Sequence, residues 1–438
     1  MAVSPARKSA FEILLSVERG RAHSDDLLRG KAVSELSAQD RHLTTALVLG
    51  VLRWQIWLDH QVHELLARPN AKLDAEIRIV LRLGAFQLLQ MGRIPAHAAI
   101  DESVELAKQA GHRFASRMVN AVLRKLAGAP RLPESDPEGA YPEWMVERWR
   151  SFYGIAATRA ICTYGQSEPA PTIRLADANV EEELSLAEIL IEPARMLSQA
   201  RVVTAGDVTA TAAFRARRVC FQDEGSQLAA EIAGRGDAIL DVCAAPGGKT
   251  LILAHRNLKA KIVACEASPQ RLARLRERLA PLGDRVECRL RDAAEMDDVD
   301  AYDLVLADVP CSGTGTLGRN PEVRHRLKAE NLRRQAERQV AILRAAVHAT
   351  RPGGRVVYST CSLEPEENEE VVAKVLNEEP SAGVVPMQGR IEEMKEEGIL
   401  VADGLERLAT SITPEGALRL LPGMLGTDGF FVALLKKA

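Results

Sequence analysis

Apolar residues recur along the first 127 positions at the spacing of one helix face. Leu43, Leu47, Val51 and Trp54 fall four, four and three residues apart, and Ile77, Leu81, Gly84 and Leu88 repeat the stripe. Ser37 followed by Asp40 opens the first stripe as a capping box, while Pro69 and Pro95 mark breaks between helices. The pattern predicts an all-helical domain over residues 1–128. Pro130, Pro133, Pro137 and Pro142 then crowd together with Gly128 and Gly139, which is the signature of a linker over 129–142. After it a helix from Trp144 to Tyr153, a strand from Thr172 to Ala176, a helix from Val180 to Leu190 and a strand from Val219 to Phe221 predict a small α/β module over 143–216.

From Ala238 onward strands and helices alternate with short connections. Strands are predicted at Ala238–Val242, Lys261–Cys265, Val286–Leu290, Asp303–Ala307, Arg355–Tyr358 and Gly429–Leu435, with helices at Thr250–Arg256, Pro269–Ala280 and Asn331–Thr350. Repeated βα units of this kind predict a doubly wound, mostly parallel sheet over 217–438. Pro352-Gly353-Gly354 reads as a tight turn, and the Glu-rich tracts Glu364–Glu370 and Glu392–Glu397 read as solvated surface.

The chain has 438 residues, 46% of them hydrophobic, enough for two to four domains with ample burial. No apolar run approaches the roughly 20 residues of a membrane span, and the first nine residues lack the apolar core of a signal peptide, so a cytoplasmic location is expected. Seven cysteines, widely spaced and without a C-x-x-C pair, argue against a disulfide framework and against a zinc site. The net charge of −3 hides an asymmetry. Residues 1–130 carry 18 Lys and Arg against 13 Asp and Glu, a weak electrostatic footprint for a polyanion. Trp54, Trp57 and Phe86 at helical spacing read as core rather than as base-stacking residues.

Three strand ends carry the candidate chemistry, and in an open α/β sheet that is where ligands bind. The first is Asp241-Val242-Cys243-Ala244-Ala245-Pro246-Gly247-Gly248-Lys249-Thr250. It lacks the glycine spacing of a P-loop and of a G-x-G-x-x-G fingerprint, so neither ATP hydrolysis nor NAD chemistry is supported. A Gly247-Gly248 turn before a helix remains, with Glu266, Asp292 and Asp308 at successive strand ends. Those carboxylates suit an adenosine without phosphate, S-adenosylmethionine, better than an anionic nucleotide. The binding set read from the sequence is Cys243, Ala244, Ala245, Pro246, Gly247, Gly248, Lys249, Glu266, Asp292 and Asp308, with no metal.

The other two strand ends are Asp308-Val309-Pro310-Cys311-Ser312-Gly313-Thr314-Gly315 and Tyr358-Ser359-Thr360-Cys361-Ser362. A cysteine is by default a buried small hydrophobe, and Cys162, Cys220, Cys265 and Cys288 fit that description. Cys311 and Cys361 differ because small, turn-forming residues follow them and leave a thiol accessible. Two exposed thiols in one cleft are an oxidation liability unless they are used.

Together the stretches Asp241–Thr250, Asp308–Thr316 and Tyr358–Asn368 resemble the cofactor loop and the two cysteine motifs of the RNA 5-methylcytosine methyltransferases. Asp40-Arg41, Gly50-Val51-Leu52-Arg53, Leu81-Arg82-Leu83-Gly84, Pro95-Ala96-His97, Val119–Arg124 and Phe221–Gln227 extend the resemblance to the bacterial small-subunit ribosomal RNA enzymes of the RsmB (Sun/Fmu) type, which have a NusB-like N-terminal domain. Val309, where alanine is commoner, and Ala170 before Thr172 are small departures. The resemblance implies an all-α NusB-like, RNA-binding domain and an α/β class I (Rossmann-like) methyltransferase domain with the small α/β module between them. It also implies a 16S rRNA cytosine substrate in a single-stranded loop, and a monomeric enzyme. Among the catalytic residues it makes Cys361 the nucleophile, Cys311 an aid to release and Asp308 a partner of the cytosine ring edge. The residues alone leave the choice between the cysteines open.

Lys249 is a candidate cation for lowering the thiol pKa, and Arg319, Arg324, Arg326, Lys328, Arg333 and Arg334 are candidates for tracking an RNA backbone. Rival readings are a noncatalytic NusB-like assembly factor, a 5-methylcytosine enzyme acting on another RNA such as tRNA, and an amino-group methyltransferase. The last would present an aromatic where Asp308-Val309-Pro310 is followed by Cys311.

Overall fold

The computed structural model describes residues 3–68, 72–129 and 136–438. Pro69, Pro130 and Pro133 lie outside the described residues. The chain divides into two compact units, one of residues up to Glu168 plus Leu317–Arg326, the other of Pro169–Thr316 and Leu327–Ala438.

The first unit is helical, with long helices at Pro5–Glu18, Ala38–His63, Ala75–Gln90, Ala96–Gln109, Ser116–Gly128 and Glu143–Gln166. Ser37 caps the second of them, its hydroxyl accepting from the Asp40 amide. The predicted stripes face inward: Leu47, Val51, Ile77 and Leu81 are all buried. Gly84 stands in its stripe because the helices cross there with no room for more, since a Cβ would meet Leu123 at 2.5 Å. Phe86 is buried, and Trp54 packs edge-on against Trp57 with centroids 5.5 Å apart, so the aromatics build core.

The predicted helix at Trp144 does end at Tyr153, because Gly154 takes the non-helical φ 78 and ψ 169, and a second helix that was not expected follows the kink as far as Gln166. The segment 143–168 therefore groups with the first unit, and the contacts divide after Glu168, not at 142/143. Before it, the end of the expected linker is ordered as a 3-10 turn, Pro137–Ala140. Tyr141 there is buried, its hydroxyl donating to the Cys162 carbonyl.

Arg324 also departs from expectation. It is 1% exposed, and its guanidinium donates to the carbonyls of Arg53, Ala140, Gly165 and Leu317. It lies 4.0 Å over the Tyr141 ring. A guanidinium spent on backbone carbonyls is structural, not a phosphate contact.

In the second unit, β1 (Thr172–Leu175), β2 (Leu190–Pro193), β3 (Ala200–Ala205) and β4 (Val219–Phe221) form an antiparallel sheet in the order β2-β3-β1-β4. The helix predicted over Val180–Leu190 is shorter, Asn179–Leu186. Glu188 at φ 57 reverses the chain, and Leu190 and Ile191 pair with β3 instead.

The larger sheet holds β5 (Ala238–Asp241), β6 (Lys261–Glu266), β7 (Val286–Leu290), β8 (Tyr302–Asp308), β9 (Thr350–Thr360), β10 (Ala382–Val384), β11 (Leu418–Leu420) and β12 (Phe430–Lys437). Its order is β10-β12-β9-β8-β5-β6-β7, with β11 beside β12. The strands from β7 to β9 are parallel, while β12 runs antiparallel to β9, β10 and β11. Helices cover both faces, so the central strands are apolar on both sides. Leu304 and Leu306 pack into the core on one face, and Val305 and Ala307 into that on the other. The turn expected at Pro352-Gly353-Gly354 lies inside β9 as a shift of register: Tyr302 faces Thr350 and Leu304 faces Arg355, so residues 351–354 stand against Asp303 alone, with Gly353 at φ 79. The order reverses between β5 and β8, which places the cleft at their carboxyl ends. Among the described residues no helix is long and apolar enough to cross a membrane, and no cluster of three His, Cys, Asp or Glu is arranged to hold a metal.

Candidate active site

All three predicted strand ends meet at one cleft. A cavity of about 590 Å³ is lined by Cys243, Ala245, Glu266, Asp292, Asp308, Cys311 and Cys361. A smaller adjoining cavity, about 100 Å³, is lined by Ala244, Pro246, Gly248 and Lys249, again with Cys243, Ala245 and Asp308. A larger hollow of about 920 Å³ lies at the opposite, amino ends of the strands. It holds no thiol, and its Arg351 and Arg256 are paired with Asp303 and with Glu231 and Glu397.

The loop after β5 is shaped by its glycines. Gly247 takes φ 99 and hands the chain to the helix Gly248–Arg256. It lines neither cavity of the cleft: a Cβ there would meet Leu275 at 2.9 Å, so its place is conformational. Gly248 starts this helix and, with Lys249, lines the smaller cavity, so the helix begins at the cleft wall. Asp241, fully buried beneath the loop, accepts from the Thr250 hydroxyl at 2.7 Å. Burial pushes its carboxyl up to about 7. Burial likewise raises the Cys243 thiol well above its ordinary range.

Glu266, 5% exposed, accepts from the Ser268 amide at 2.8 Å and lies 3.3 Å from Arg271. Asp292 accepts from the Ala294 amide at 3.0 Å and from Arg338 at 2.9 Å. Both carboxylates thus cap local turns and line the cavity as well. Asp308 accepts from Lys249 at 2.7 Å and from the Ser359 hydroxyl at 2.7 Å. This corrects the expectation for Lys249, whose charge goes to Asp308 and to the Ser226 hydroxyl at 2.9 Å, not to a thiol.

The residues fit S-adenosylmethionine on this structure's own terms. Glu266 and Asp292 offer acceptors for ribose and adenine groups, the Gly248 helix end offers amides to a carboxylate, and the acid-rich wall suits a sulfonium cation. When bound, the cofactor supplies an electrophilic methyl group.

Cys311 and Cys361 stand with their sulfurs 3.3 Å apart. Parallel pairing of β8 with β9 sets them side by side, with Asp308 opposite Ser359 in register and the Val309 amide bound to the Ser359 carbonyl. The loops are clamped further on. The Gly315 amide donates to the Cys361 carbonyl at 2.9 Å, and a Cβ on Gly315 would meet the Gly429 carbonyl oxygen at 2.4 Å. The Cys311 thiol is pushed well up by its bond to Cys361, by burial and by the Glu367 charge.

Sequence reasoning missed Glu367, which lies in a tract expected to be solvated. Glu364 and Glu367 are both fully buried. Glu367 accepts from the Ser312 amide at 2.9 Å, from Gln339 Nε2 at 3.0 Å and from the hydroxyls of Ser312 and Ser362. Asn368 beside it donates to the Ser362 carbonyl at 3.0 Å and accepts from the Thr360 hydroxyl. The available signal was that seryl residues directly follow both cysteines and need acceptors once buried.

Residues 232–436 match the family described as 16S rRNA methyltransferase RsmB/F, and residues 4–128 match the NusB family. The probable ribosomal RNA small subunit methyltransferase B of Bacillus subtilis is 31% identical over all of both chains. The ribosomal RNA small subunit methyltransferase B of Pseudomonas putida is 32% identical over 98% of each. In fold, the chain is similar to the crystal structure of PH0851, with a TM-score of 0.79, 23% identity and all of both chains covered. It is also similar to NSun6 from Pyrococcus horikoshii, with a TM-score of 0.56, 20% identity, 68% of this chain and 98% of that one. The chain belongs to the RsmB/F family of S-adenosylmethionine-dependent ribosomal RNA methyltransferases, carrying a NusB-like helical domain ahead of its catalytic one.

Proposed function

We propose that this chain methylates carbon 5 of a cytosine in 16S rRNA through a covalent adduct between Cys361 and carbon 6. The observation that carries the reading is the pair of thiols 3.3 Å apart beside Asp308 in one cleft. An amino-group methyltransferase has no use for two adjacent sulfurs. Carbon 5 of cytosine is too poor a nucleophile to take a methyl group directly. Addition of the Cys361 sulfur to carbon 6 forms an S–C bond and moves the ring double-bond electrons onto carbon 5, which then attacks the methyl group. Loss of the carbon 5 proton to water in the cleft re-forms the double bond and expels the Cys361 thiolate. Asp308, held by Lys249 and Ser359, bonds the ring edge near nitrogen 3, and Cys311 aids release.

The target base must leave its stack to reach a sulfur on one side and the methyl donor on the other, so an unpaired loop cytosine is the natural substrate. One copy of the chain supplies every residue of this site, and a monomer working in the cytoplasm satisfies the chemistry. In this reading the helical unit, with its surplus of positive charge, binds RNA and contributes no catalytic group. The test is nucleoside analysis of 16S rRNA incubated with the enzyme and labelled S-adenosylmethionine. Label in 5-methylcytidine is expected, and label only in another nucleoside overturns the reading.

A further inference from the structure

We propose that Glu367 is a positioning residue that makes the two thiols unequal, fixing Cys311 as the hydrogen-bond donor and Cys361 as the acceptor and nucleophile. The inference rests on the covalent reading above and deepens it.

The geometry is asymmetric about the sulfur pair. Glu367 grips the Cys311 loop twice, through the amide and the hydroxyl of Ser312, and the Cys361 loop once, through the hydroxyl of Ser362. Gln339 fixes it from a third side and donates also to the Pro310 carbonyl at 2.9 Å, just ahead of Cys311. Tyr358, fully buried, donates its hydroxyl to the Glu367 carbonyl. With every donor pointed at it, Glu367 is satisfied as an anion in the protein interior.

Two facing thiols are chemically alike until something near them breaks the symmetry. The titratable groups facing Cys311 are Cys361, Glu367 and Tyr358, with Asp308 at the strand end. The cations lining the same cavity, Arg271, Arg291 and Arg338, are paired with Glu266, with Asp297 and Asp298, and with Asp292, so Cys311 keeps its proton. A protonated Cys311 at 3.3 Å donates to the neighbouring sulfur. That bond favours the thiolate on Cys361 before attack and again when it leaves carbon 6, and it is lost only while sulfur is bonded to carbon. Without the Glu367 charge the proton has no fixed side, and the sulfurs compete for the attacking role.

The test uses the full-length enzyme with Glu367→Gln, in which the amide keeps the shape and the acceptor for the Ser312 and Gln339 N–H groups, but removes the charge and faces the two seryl hydroxyls with a donor. Without RNA, the two cysteines are alkylated across a pH series and quantified by mass spectrometry. In the unaltered enzyme Cys361 is expected to react well ahead of Cys311. In Glu367→Gln the Cys311 profile moves to lower pH and the two rates converge. Methyl transfer is expected to fall about tenfold in kcat, with KM for S-adenosylmethionine unchanged and activity partly restored in Glu367→Asp. If Glu367→Gln does not fold, Ser312→Ala with Ser362→Ala is read instead, with the same kcat loss at constant KM expected. An unchanged alkylation order and an unchanged kcat in whichever variant folds overturn the proposal. Because alkylation needs neither RNA nor cofactor, it still reports on Glu367 if the product proves not to be 5-methylcytidine.

Discussion

The ammonium of Lys249 lies 2.7 Å from the carboxylate of Asp308, joining the start of the helix that follows one strand to the end of the neighbouring strand. The lysine is partly buried and sits 5.5 Å from the Phe430 ring centroid, so it is held in place before any ligand arrives. In the proposed reaction this contact would orient Asp308 toward the cytosine edge and offset a negative charge in a wall already rich in carboxylates.

Replacing Lys249 with Met is therefore expected to lower kcat/KM about 10- to 100-fold, less than the roughly 100- to 1,000-fold typical of losing a donor that itself touches the reacting atoms, because Lys249 acts through Asp308. Combined with Asp308→Asn the loss should be less than additive, because either change breaks the same pair. A double-mutant cycle on methyl transfer measures the coupling, and full additivity would show that the two residues act separately.

The two cysteines should fail in opposite ways. Cys361→Ala removes attack and is expected to leave neither activity nor a covalent link to RNA. Cys311→Ala permits addition and methylation but slows elimination, so a protein–RNA adduct should survive denaturing electrophoresis. Adduct in Cys361→Ala would reverse the assignment.

Asp241 sets a pH dependence of stability. Its folded pKa is raised to about 7, so between the unfolded value near 3.9 and about 7 the folded state holds the extra proton. The stability this contributes is complete below the unfolded pKa and lost as pH rises through the folded one. Denaturant midpoints of the unaltered protein and of Asp241→Asn should diverge from pH 4 to pH 7 in favour of the variant. The difference should reach a few kcal/mol and level off above pH 7. Parallel profiles would show that Asp241 is not protonated in the folded state.

Glu266→Ala should weaken S-adenosylmethionine binding about 10- to 100-fold while leaving RNA affinity nearly intact, since a lost charged hydrogen bond costs about 1.5–3 kcal/mol. Calorimetry with the cofactor and a gel-shift assay with RNA read the two affinities. Equal loss of both would contradict the assignment of Glu266 to the cofactor.

Gly315→Ala places a Cβ 2.4 Å from the Gly429 carbonyl oxygen and 2.9 Å from that of Cys361. Backbone cannot yield as a side chain would, so a drop of several degrees in melting temperature is expected, with methyl transfer falling further than stability alone explains. Unaltered activity would mean that the two cysteine loops tolerate separation.

How much was legible in the sequence depended on whether a signal was periodic. The helix stripes through Leu47 and Leu81 and the strands at Leu304–Ala307 and Val356–Tyr358 were readable because burial on a regular element repeats at a fixed spacing. The cysteine loops were readable because their small residues are unusual after an apolar strand. Glu367 was not, because a buried carboxylate and a solvated one have the same letter, and only the hydroxyls brought from residues 312 and 362 distinguish them. Arg324 misled for the same reason, since a cation in a basic stretch looks like a phosphate contact until its carbonyl partners are seen. The edge strand Leu190–Pro193 failed differently. A single reversal at Glu188 separates it from a helix of similar apolar pattern.

The chain leaves the catalytic unit after Thr316 and returns to it at Leu327, and the ten residues between belong to the helical unit. Arg324 in that excursion is buried on the carbonyls of Arg53, Ala140, Gly165 and Leu317. The two units are thus interleaved along the chain. Removing everything before Pro169 would take away the carbonyls of Arg53, Ala140 and Gly165 and leave the Arg324 guanidinium with the Leu317 carbonyl alone among these acceptors, a cation short of partners in the piece that remains.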